Sequence, residues 1–213
     1  MPDENPPDYW NDWRLDPEEF NRIIDDNSNA LSAIFGYVAE ERMREMYLED
    51  DPAIEDIRTP DDQDESDKGD WAFTYKGEPM KIEVKSLQSR TVPDVDENQT
   101  TLTEGDRKIE VGFHLKGSSD PRDIEHDGET YSTVLMDVEN SDIDIIAVNL
   151  YEVKDEWDFA FVRVTDLPRS KGNYPEGLRQ KLSKSQPKFE IPVEDPYTDD
   201  LSALMDEVLQ ERN

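Results

Sequence analysis

Asp70, Glu83 and Lys85 are the residues of this 213-residue chain whose types and spacing fit a reaction. Glu83 and Lys85 stand two apart in "MKIEVKSL", where Met80, Ile82 and Val84 alternate with Lys81, Glu83 and Lys85. In a strand, that alternation turns Glu83 and Lys85 to one face and Val84 into the core. Asp70 opens a second apolar segment, "WAFTY", and "KGEP" between the two reads as a hairpin turn. A turn centred on Gly77-Glu78 sets Asp70 opposite Lys85, with Pro79 leaving the register open by about one residue. Two carboxylates without histidine or cysteine are hard oxygen ligands, suited to Mg²⁺ or Mn²⁺. Such an ion polarises a phosphodiester and acidifies bound water. A nearby ammonium can orient or deprotonate that water, or offset charge in the transition state.

The triplet is ordinary by itself, and an upstream aspartate means little in a chain with 54 Asp and Glu. The elements around it carry the argument. "DPEEF" reads as a helix start, with Asp16 as N-cap and Pro17 in the first turn. Asn29–Leu48 is the longest helical pattern, with Leu31, Ile34, Phe35, Val38, Ala39 and Met46 on one broad face. Residues 49–67 form an acidic connection. Strands are expected at Asp70–Tyr75, Met80–Leu87, Ile109–Leu115, Thr130–Val138, Asp144–Leu150 and Trp157–Val164, with a polar loop over 89–106. A short helix follows Pro175, and Leu201–Gln210 is an amphipathic helix. Trp71, Phe73, Trp157, Phe159 and Phe161, at period two, belong to the core. Asp142 and Asp144 read as capping or solvated carboxylates, and Asn149 as a buried amide that needs partners. The order predicts an α/β (α+β) protein with a mixed central β-sheet flanked by helices. It is read as one domain over 1–213, with 1–16 as a flexible N-terminal arm that Tyr9, Trp10 and Trp13 pin to the body.

The helix preceding the hairpin contains "GYVAEERMREMYL", a G-x-x-x-E pattern from Gly36 to Glu40. With Asp70 and Glu83-Val84-Lys85 after it, the chain resembles the PD-(D/E)xK, restriction-endonuclease-like superfamily. The order of "SDIDIIAVNLYEVKDEWDFAFVRVTDLPRS" also looks like bacterial and archaeal restriction-endonuclease-like proteins, so the resemblance spans roughly residues 29–205. It implies a restriction-endonuclease-like core and a Mg²⁺-dependent DNA endonuclease, most like a type II restriction enzyme or related host-defence nuclease. Asp70 and Glu83 would hold the metal, Lys85 would handle the water, and Glu40 would assist, with Glu41 as the alternative. Double-stranded DNA would be the substrate, a homodimer would cut both strands, and a cognate DNA methyltransferase is a possible partner. The family's usual proline before the aspartate is Gly69 here. A junction resolvase-like repair nuclease and a non-catalytic acidic DNA mimic are the alternative readings.

Net charge is -31, and the acid is spread along the whole chain. Dispersal favours the surface of a halophile, haloarchaeal within the resemblance, because molar salt screens self-repulsion within about 3 Å. Absence of cysteine excludes disulfides, thiolate nucleophiles and Cys-based metal sites. Without an apolar run of about 18 residues or a secretion signal, no membrane is expected, and the cytoplasm is the expected compartment. Between Arg163 and Lys188, seven basic residues face only Asp166 and Glu176. Arg163, Arg169 and Lys171 are therefore the candidate DNA contacts, with Arg169 and Lys171 nearest the cleft.

Overall fold

Burial on both faces dictates the centre of the fold. Ile145–Asn149 (β7) is apolar at four consecutive positions and fully buried along them, as expected of a strand covered on both sides. The computed structural model describes residues 16–60, 69–87, 108–116 and 121–212. The polar loop over 89–106 and the aromatic residues of the arm, Tyr9, Trp10 and Trp13, lie outside them.

The protein is mixed α/β. Its main sheet has five strands: Ile54–Arg58 (β1), Trp71–Tyr75 (β2), Glu78–Ser86 (β3), β7 and Phe159–Arg163 (β8), in the spatial order β1-β2-β3-β7-β8. All neighbours are antiparallel except β3 and β7, which run parallel. Two smaller ribbons pair Ile109–Gly112 (β4) with Lys188–Ile191 (β9), and Arg122–His126 (β5) with Glu129–Thr133 (β6). The chain divides into two compact units, one up to Val38 and one from Ala39 onward. The first holds Pro17–Asp25 (α1) and the start of Ser28–Tyr47 (α2). The Asp16 carboxylate accepts the Glu19 N–H at 2.7 Å, as the N-cap reading requires.

In the second unit the apolar clusters divide by strand parity. Ile82, Val84, Ile145, Ala147, Phe159 and Phe161 join Ala39 and Met43 of α2 in one. Leu201, Leu204, Met205 and Val208 of Leu201–Arg212 (α5) complete it. Ile146, Val148, Ala160 and Val162 pack with Val111, Phe113, Leu115 and Phe189 in the other. Two short helices, Tyr151–Lys154 (α3) and Glu176–Lys181 (α4), lie in the connections.

Several expectations need correction. The acidic connection over 49–67 contains strand β1, whose alternation is broken by a bulge at Asp56 with φ 55°. The Thr130–Val138 strand ends at Thr133, and "RDIEH" before it is its hairpin partner β5. On α2, Leu31, Ile34, Val38 and Met46 are exposed, while Met43 is fully buried. Asn149 is buried, and its Oδ1 accepts the Tyr151 N–H at 2.9 Å.

Candidate active site

Three of the carboxylates singled out by the sequence act on one ammonium. Lys85, on β3, forms an ion pair with Glu83 two residues earlier on the same strand face. Their side chains are 27% and 15% exposed, so the pair is largely covered yet open to solvent on one side. Burial alone would pull the Lys85 pKa down. The negative charges of Glu83, then Asp70 and Glu40, outweigh it and hold the ammonium above its ordinary 10.5. The charges of Asp70, Glu83 and Glu40 thus all act on Lys85, although 23 residues separate α2 from β2.

The hairpin supplies the first three. Its turn is Lys76-Gly77, both at positive φ (50° and 87°), the mirror-image turn that matches strand twist. Trp71 therefore pairs with Ile82. Asp70, just before it, faces Glu83 rather than Lys85, which corrects the expected register. The face is unchanged, because moving the turn by one residue moves the partner by two. Asp70 is fixed at both ends: its N–H donates to the Ile82 carbonyl at 2.9 Å, and its Oδ2 accepts the Val84 N–H at 2.6 Å. Its carboxylate is thereby oriented by the strand that carries Glu83.

Gly69 holds a backbone position closed to proline. Its φ is +105°, which a proline ring cannot adopt, and a Cβ there would stand 3.3 Å from the Ile82 carbonyl oxygen. Gly69→Ala should cost about 1–3 kcal/mol in denaturant unfolding, and displace Asp70 with it.

α2 supplies the fourth residue. The Trp71 indole N–H donates to the Glu40 carbonyl at 3.0 Å, and the Arg44 guanidinium lies 5.7 Å over the same ring. Trp71 thus anchors the helix backbone at Glu40 from the first position of β2. Glu41 is held away by Arg44, which donates two hydrogen bonds to its carboxylate at 2.6 and 3.1 Å. That contact pulls the Glu41 pKa down. Of the two glutamates, Glu40 is the one whose charge acts on Lys85. The anchoring role of Trp71 was not read from the sequence, where it counted only as core.

Among the described residues, no three His, Asp or Glu side chains stand as a ready cage for a metal ion. A donor set of Asp70 and Glu83 nevertheless suits Mg²⁺, which is commonly held by one or two carboxylates while waters and substrate phosphate complete its shell.

The positive side chains fare unevenly. Arg163 is taken up by Asp166 at 2.5 Å, Glu211 at 2.5 Å and Glu207 at 3.6 Å, which leaves little of its charge for a phosphate. Arg169 donates to the carbonyls of Leu167 and Thr165 at 2.6 and 2.8 Å, so its guanidinium braces the backbone. Lys171 is exposed. Asp144 accepts the Lys81 N–H at 2.9 Å and pairs with Arg212, a tie between β3 and α5 rather than a ligand position.

The Lys85 environment sets a pH expectation. Its folded pKa lies above the unfolded value, so its contribution to stability is complete below about pH 10.5 and lost as pH rises through the folded value. The stability difference between wild type and Lys85→Met should be flat from about pH 6 to 9 and shrink above 10.5. Urea titrations across that range measure it.

No family model matches the chain, and no curated protein or solved structure does either.

Proposed function

We propose that the protein is a Mg²⁺-dependent DNA endonuclease, most like a type II restriction enzyme or related host-defence nuclease. One observation carries the reading: the carboxylates of Asp70, Glu83 and Glu40 act together on the half-buried ammonium of Lys85. A solvated strand face would leave these groups independent, and an acidic DNA mimic has no use for an ammonium among its carboxylates.

Asp70 and Glu83 are the metal-holding residues in this reading. The bound Mg²⁺ would polarise the phosphodiester and supply an acidified water. Lys85 stays protonated at neutral pH, because its pKa is held above 10.5. It therefore serves as a fixed positive charge that orients the water and offsets the charge gathering on phosphate oxygens, and not as the proton acceptor. Glu40, whose backbone the Trp71 anchor holds, adds its negative charge to the field at the same ammonium. Cutting both strands takes two such sites, hence a homodimer.

The dispersed acid fits a working medium of concentrated salt. The unfolding midpoint should rise between low and molar KCl, and an unchanged midpoint would remove this part of the proposal.

The function is tested by incubating the protein with supercoiled plasmid and with branched DNA, in molar KCl, with Mg²⁺ or with EDTA. Discrete, Mg²⁺-dependent plasmid fragments support the restriction reading. Selective cutting of branches moves the activity to a resolvase-like repair nuclease. Intact DNA in every lane overturns the nuclease reading.

A further inference from the structure

We propose that the pocket between Lys171 and Lys184 seats one nucleotide of the bound DNA strand, its phosphate on the two lysines and its base beside Tyr174. This rests on the nuclease reading for its choice of ligand.

The pocket has a volume of about 510 Å³, room for a nucleotide unit, and is lined by Ser170, Lys171, Gly172, Tyr174, Lys184 and Ser185 among others. Its two walls are bridged by backbone. The Ser170 N–H donates to Leu182 at 2.8 Å, the Lys184 N–H donates to Pro168 at 2.7 Å, and Arg169 pairs with Ser183. These bonds fix the chain from which both lysines project. The loop itself is ordered: the Gly172 N–H donates to Ser170 Oγ at 3.1 Å. A Cβ on Gly172 would stand 3.1 Å from the Tyr174 ring, so the loop lies close against it. The Tyr174 hydroxyl donates to Thr133 Oγ1 at 3.0 Å, holding the ring in place.

Charge sets the lining of this pocket apart from most of the surface. Elsewhere Arg42, Arg44, Lys76, Lys154, Arg163 and Lys188 each hold a carboxylate. Lys171 and Lys184 form no ion pair with any described residue. Two further cations adjoin it without an acidic partner among those residues. Arg122 donates to the carbonyl of Leu135, a lining residue, at 2.8 Å, and Arg169 precedes Ser170. In a chain of charge -31, unneutralised cations gathered at one concavity call for an anionic ligand. Ammonium groups, serine hydroxyls and a fixed ring together fit a phosphate with a flat base attached.

The test uses the full chain in EDTA, where no cutting occurs, and follows the anisotropy of a labelled duplex as KCl is varied. Lys171→Ala/Lys184→Ala should weaken binding about tenfold at low salt and lower the salt slope by about two. Lys76→Ala/Lys188→Ala, which removes paired lysines, should change it far less. The single Lys171→Ala variant, at an exposed position, guards against misfolding and should show about half the slope change. Unchanged affinity and slope in both Lys171 variants overturn the proposal. Titration with deoxyadenosine monophosphate separates a strand from a free nucleotide. Weak binding, lost in the double variant, supports the site. Tight mononucleotide binding, with duplex affinity indifferent to the lysines, overturns the strand assignment. The two readings fail separately: wild type that cuts while the double variant binds and cuts normally removes the pocket alone. Wild type that never cuts but binds DNA through these lysines removes the nuclease alone.

Discussion

Lys85→Ala should lower Mg²⁺-dependent DNA cutting by about 10²–10³-fold while leaving duplex affinity in EDTA within about twofold of wild type. The size follows from position. Glu83, Asp70 and Glu40 all act on the Lys85 ammonium, which is mostly shielded from solvent. A charge placed so close to developing phosphate charge is worth far more than one in water. Lys85→Arg separates charge from shape: it keeps the cation and should retain more activity than alanine. A lysine acting as proton acceptor would instead make arginine as poor as alanine, because guanidinium does not deprotonate near neutral pH. The decisive measurement is the single-turnover cleavage rate on one plasmid substrate. An alanine variant that cuts at the wild-type rate would remove Lys85 from the chemistry. Loss of its charge also removes the cation that three carboxylates act on, so unfolding should be followed in parallel to show that the protein assayed is folded.

Phe161→Ala is the substitution with the largest expected cost in stability, about 3–5 kcal/mol. Phe161 is fully buried on β8, where its ring meets Tyr47 edge-on at 4.9 Å and stacks with Phe159 at 6.4 Å. Its N–H and carbonyl pair with Thr198 at 2.7 and 2.9 Å, just ahead of α5. Truncation therefore opens a void where the sheet, the end of α2 and the approach to α5 are joined. A domain of ordinary stability has about 5–15 kcal/mol in all, so the loss consumes a third or more of a weak one. Phe161→Leu, which keeps most of the volume, should cost under half as much. Urea unfolding in molar KCl measures both, and a loss below about 1 kcal/mol for alanine would show that this junction is not close-packed.

Local signals in the sequence were sufficient for much of this. Asp16-Pro17 marks a helix start because an N-cap and a preset φ act within one turn. The alternation Met80–Lys85 gives the face of β3 without any tertiary information. β5 was missed because "RDIEH" carries a single large apolar residue, Ile124, and pairs through its backbone with β6. β9 is four residues long, below the length at which alternation is distinctive. The hairpin register was misjudged because Lys76 occupies a left-handed position that favours glycine or asparagine. The Arg163 pairings with Glu207 and Glu211 join residues more than 40 apart, and nothing local encodes them. The basic strip was visible as composition. Which of its members remain available was decided by folding.

Parity in the Asp70–Lys85 hairpin has an evolutionary side. Sliding the bend by a single position brings the aspartate beside a different neighbour two places along, yet never carries it through to the reverse of the sheet. Lineages can therefore rework the sequence of this bend, and tolerate a lysine where glycine would be easier, without scattering the charges that lie at its base.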